Sequence, residues 1–84
     1  MKTYVFMYIL AADLDLIKKC LGQHVSYWKG LSLEYYKNGP FADKSGGLII
    51  FSAENEKRAE EVLQQDPLVT EKAVAQYWLK EWVA

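Results

Sequence analysis

At 84 residues the chain is one small domain's worth, and with 51% apolar and 25% charged residues it is too apolar for a disordered segment. Ten Lys and Arg against 11 Asp and Glu give a net charge of -1, which excludes a strongly basic nucleic-acid module. The single Cys20 excludes an internal disulfide, and the longest apolar stretch, Tyr4 to Ala12, falls far short of the roughly 20 residues of a membrane helix.

That stretch is also a poor signal peptide, with one lysine before it and Asp13 and Asp15 after it. The expectation is a single domain over residues 1–84, cytoplasmic, with neither nucleic-acid nor membrane partners. Residues 3–10 (TYVFMYIL) are β-branched and aromatic and predict a strand. Asp13 offers a helix N-cap, and Leu14, Ile17, Leu21, His24 or Val25, and Trp28 then recur at steps of three and four, predicting a helix over Asp13–Lys29. Residues 32–38 read as a second strand ended by Asn38-Gly39-Pro40, and residues 47–53 as a third. Asn55 or Ser52 caps a second helix, with Ala59, Val62 and Leu63 on its apolar side, that stops before Asp66-Pro67. A short turn or helical piece covers Pro67–Lys72, and residues 74–83 complete the set as a strand. The order βαββαβ predicts an α+β, ferredoxin-like fold with a four-stranded antiparallel sheet.

The first strand is apolar on both faces, with Tyr4, Phe6, Tyr8 and Leu10 pointing one way and Val5, Met7 and Ile9 the other. Two helices cover one face only. The other predicts a homodimer packed sheet against sheet, because monomers rarely expose a large apolar patch.

His24 is the one histidine, so acid–base work near neutrality falls to it first. A packed, structural histidine is the competing reading. Asp43 lies in a loop with Gly39, Pro40, Gly46 and Gly47, where backbone can approach a ligand, and is the candidate carboxylate to orient His24. The plainer reading of Asp43 is a turn aspartate bonded to its own backbone. Asp66-Pro67 reads as a helix stop. Tyr8, Trp28 and Phe41 are candidate pocket walls. One His and one Cys make no metal-ligand cluster, and no phosphate-loop motif is present, so neither metal nor cofactor is expected.

His24 followed by Tyr27, Gly39-Pro40-Phe41-Ala42-Asp43, Gly46-Gly47-Leu48, and Ala59 with Leu63 and Asp66-Pro67 together resemble the YCII-related (YciI-like) family across nearly the whole chain. The resemblance implies a dimeric α+β barrel of ferredoxin-like subunits with a His–Asp pair as the family's proposed active site, His24 and Asp43 here. It also implies relatives that include a dehydrochlorinase acting on a chlorinated hydroxyquinol. The stretch from Gly30 to Asn38 is shorter than the family's and lacks its acidic turn, which makes Glu34 a second candidate acid.

Two readings of function follow. One is a lyase or isomerase, dehydrochlorinase-like, moving a proton on a small aromatic or carbonyl-containing ligand through the His–Asp pair. The other is a non-catalytic binding or structural homodimer. Cofactor-free oxygenation of a quinol is a third, borrowed from relatives of the barrel.

Overall fold

A computed structural model describes residues 1–84. Strand β1 (Lys2–Leu10) leads into helix α1 (Leu14–Gly30), then strands β2 (Tyr36–Pro40) and β3 (Gly46–Ala53), helices α2 (Glu56–Gln64) and α3 (Pro67–Thr70), and strand β4 (Val74–Glu81). Every strand pairing is antiparallel, in the sheet order β2-β3-β1-β4. This is the expected α+β arrangement. No helix is long and apolar enough to cross a membrane.

The helices start where short polar side chains can accept from free backbone N–H groups. Asp13 accepts from the Leu16 N–H at 3.1 Å, and Asn55 accepts from the Arg58 N–H at 2.8 Å. Two boundaries differ from the sequence expectation. Strand β2 begins at Tyr36 rather than Ser32, since Ser32 sits in the left-handed region at φ 53° and interrupts an extended run. The Asn38-Gly39-Pro40 segment is strand, not turn, because β2 is an edge strand where a proline lacking an N–H costs no ladder bond on its open side. The reversal comes after it, over residues 41–45.

One sheet face and the helices enclose the core. Tyr4, Phe6, Ile49 and Phe51 from the two central strands meet Ile17, Cys20 and Trp28 of α1 and Leu63 of α2, all buried. On the opposite face, register places Val5 beside Ile50 and Met7 between Leu48 and Trp78. These side chains are half-buried and have no covering layer.

Candidate functional site

Helical periodicity builds the first half of the site. His24 and Trp28 are four residues apart on α1, so both side chains leave the same face and both are buried, at 2% and 1% exposure. Their partner comes from the other end of the chain. Asp66 ends the α2 segment and N-caps α3, its Oδ1 accepting from the Leu68 N–H at 2.8 Å with Pro67 in the first helical turn. The second carboxylate oxygen, Oδ2, accepts from His24 Nδ1 at 2.7 Å and from Trp28 Nε1 at 2.8 Å. Three donors therefore surround a fully buried carboxylate, which is what a charge without water requires.

The carboxylate only accepts, so Nδ1 carries the proton and Nε2 is left as the base nitrogen. Nε2 lies 3.4 Å from the Asn38 amide nitrogen, which also donates to the Tyr36 hydroxyl at 2.9 Å. The Tyr8 ring meets the imidazole edge-on, with centroids 5.8 Å apart at 70°. His24, Tyr8, Tyr36 and Asn38 form one wall of a cleft of about 750 Å3 between α1 and the β2–β3 hairpin. Leu14, Leu21 and Val25 of α1 also line it and present exposed apolar surface. A smaller cavity of about 450 Å3, beside the start of α2, holds no histidine.

Burial pushes the Tyr8 hydroxyl up to about 12, helped by the negative charge of Asp66 and by Tyr36. Tyr27 is raised too, mainly by burial, while its hydroxyl donates to the Val62 carbonyl.

Asp43, expected to orient His24, does not reach it. Its carboxylate accepts from the Ser45 N–H at 3.0 Å and the Ser45 hydroxyl at 2.6 Å, and these bonds hold its pKa below the usual range. The hairpin reverses the chain at this point, and an exposed turn aspartate folds back on its own backbone. Glu34 is exposed in the α1–β2 connection. Of the expected pocket walls, Tyr8 lines the cleft. Trp28 lies beneath it, stacked on Tyr36 with centroids 6.0 Å apart, and Phe41 closes the hairpin through its backbone bonds to Lys44 and Gly46. Sequence reasoning missed Asp66 and Asn38. A buried aspartate capping a short helix was readable as a cap, but its second oxygen's partners lie 38 and 42 residues away. No group of three or more His, Cys, Asp or Glu side chains comes together to hold a metal ion.

The fold and the site define a ferredoxin-like α+β domain with a buried histidine–aspartate pair beneath a cleft. The chain belongs to the YCII-related domain family, whose profile matches residues 1–83. Among solved structures it is similar to the 5-chloro-2-hydroxyhydroquinone dehydrochlorinase of Burkholderia phenoliruptrix AC1100 in complex with 2,5-dihydroxybenzoquinone. The two superpose with a TM-score of 0.79 at 16% identity, covering 96% of this chain and 93% of the other, a likeness that carries the fold. No curated protein matches the sequence significantly.

Proposed function

We propose that the chain is a small-molecule lyase or isomerase in which His24 takes and returns a proton at Nε2, oriented by Asp66. The observation that carries this reading is the His24–Asp66 bond of 2.7 Å with the imidazole bordering a cleft large enough for a small aromatic molecule. Asp66 holds the tautomer and stabilises the imidazolium that forms when Nε2 accepts a proton. A proton leaving carbon beside a carbonyl pushes its electron pair toward the oxygen. In an elimination that pair then expels a leaving group, and in an isomerisation the imidazolium returns the proton to another carbon. The dehydrochlorinase with the same fold supports the elimination branch. The half-buried apolar sheet face supports a homodimer as the working form.

The competing reading, a binding or structural dimer, draws on the 2% exposure of His24, which a purely structural dyad would also show. A screen of chlorinated hydroxyquinols and related enolisable ketones, read by chloride release and by solvent-deuterium exchange, separates the two. Turnover that falls about 100- to 10,000-fold in His24→Asn is the expected result. Turnover that persists at the wild-type rate in that variant, or no exchange and no release across the screen, would overturn the catalytic reading.

A further inference from the structure

The mouth of the cleft carries charge of one sign. Lys18 and Lys29 border it from α1 and Lys44 from the hairpin, and no Asp or Glu is among the residues around it. None of these three lysines forms an ion pair, since the salt bridges of the molecule join Lys2 to Glu81, His24 to Asp66 and Arg58 to Glu61. Lys37 also touches the cleft, but it alternates with Tyr36 and Asn38 along the edge strand, so its side chain leaves from the opposite sheet face. The acids nearest in sequence do not line the cleft. Asp13 caps α1, Asp43 is turned onto Ser45, and Asp15, one helical turn before Lys18, makes no ion pair with it. In a chain of net charge -1, three unpaired lysines around one opening make a local positive field.

A second observation stands inside the cleft. Tyr8 is 4% exposed, yet its hydroxyl has no hydrogen-bond partner in the protein. The atom is not sealed in the core, because every fully enclosed side-chain oxygen and nitrogen of the molecule is paired. It opens into the cleft on the same wall as His24. The ring is buried while its hydroxyl faces the cleft, so the phenol is a fixed donor free to serve a bound molecule.

We propose that the cleft binds an anionic aromatic or enolic small molecule, with the Tyr8 hydroxyl donating to its charged oxygen and Lys18, Lys29 and Lys44 drawing it in. The inference deepens the catalytic reading by naming the substrate class, and it rests on that reading only for the choice of cleft. The Tyr8 phenol, ordinarily protonated at neutral pH and held more firmly so by its burial, donates to an anion rather than repelling it. Leu14, Leu21 and Val25 supply the apolar surface that a ring would cover. A donor placed at a developing oxyanion beside a base is also the arrangement that proton abstraction next to a carbonyl needs.

Salicylate and its neutral amide, salicylamide, are the probes, titrated into the full-length protein by calorimetry at pH 7 and low salt. Salicylate is expected to bind at least about tenfold tighter than the amide, with affinity that falls as salt rises. Tyr8→Phe keeps the ring and leaves no protein group unpaired. It should hold its melting temperature and lose about tenfold in salicylate affinity with little change for the amide. A Lys18→Gln, Lys29→Gln and Lys44→Gln triple variant should flatten the salt dependence. Equal affinities for the two probes, no binding of either at millimolar concentration, or a Tyr8→Phe variant that binds salicylate like wild type would overturn the proposal. In the wild-type protein, salicylate binding with no turnover across the screen would overturn the catalytic reading alone, and turnover with equal affinities for the two probes would overturn this one alone.

Discussion

Gly47 stands directly opposite Tyr8 in the β1–β3 register, and a Cβ on Gly47 would lie 2.5 Å from the Tyr8 hydroxyl oxygen. The glycine is there for space, since none of the chain's glycines has a positive φ. Gly47→Ala should therefore push the phenol off its place, destabilise the fold by about 1–3 kcal/mol and abolish ligand binding in the cleft. Thermal melting and salicylate titration of the purified variant read both effects. Gly46→Ala should be worse, because its Cβ would come within 1.8 Å of the Tyr8 carbonyl oxygen, which cannot rotate away.

Removing one end of the buried pair is not equivalent to removing the other. Asp66→Asn leaves the donors on His24, Trp28 and Leu68 facing one carbonyl oxygen and an NH2 group, with an expected cost of about 3–5 kcal/mol. His24→Asn leaves the carboxylate two of its three donors, with an expected cost of about 1–3 kcal/mol. The melting midpoint should fall further for Asp66→Asn, by more than about 10 °C in a domain this small. Because His24 is buried, a stability loss in its variant belongs to either functional reading, and only turnover distinguishes them.

Asp43→Ala removes two bonds within an exposed turn and touches nothing around His24. Its melting midpoint should stay within about 2 °C of wild type, and any turnover found should be retained. Loss of turnover in this variant would restore Asp43 to the site.

Alkaline pH should destabilise the protein through its buried and half-buried tyrosines. The folded pKa of Tyr8 is about 12 against an ordinary 10.0, so the unfolded chain releases the proton first. The stabilisation is whole below about pH 10 and is lost as pH rises toward 12. Tyr27 and Tyr77 are shifted in the same direction and add to the slope. Denaturant titrations between pH 9 and 12, with tyrosinate absorbance followed in parallel, should show a shallower decline in Tyr8→Phe.

Sedimentation or light scattering at micromolar concentration should give twice the 9.7 kDa chain mass. Ile50→Lys places a charge in the centre of the half-buried sheet face, beside Val5, and should yield a monomer. A wild-type monomer would remove the homodimer from the account.

The fold was largely legible because its signals are local. Asp13 and Asn55 cap as their residue types suggest, α1 follows the steps from Leu14 to Trp28, and Asp66-Pro67 does end α2. The site was legible by half. The four-residue step from His24 to Trp28 showed a shared face, but their common acceptor depends on α3 packing against α1, and no periodicity reports that. Asp43 drew attention because glycines surround it in sequence, yet those glycines serve different needs: Gly46 and Gly47 make room for Tyr8, and Gly39 continues an edge strand.

The doubled use of Asp66 separates two kinds of sequence signature. One oxygen starts α3 and the other ties down the Trp28 indole, so a descendant that abandoned proton transfer would still need the carboxylate to fold. The aspartate–proline pair is thus a mark of architecture, and its presence says little about whether a copy is alive as an enzyme. Under the proposed chemistry, His24 is the residue whose replacement would tell a working copy from a retired one.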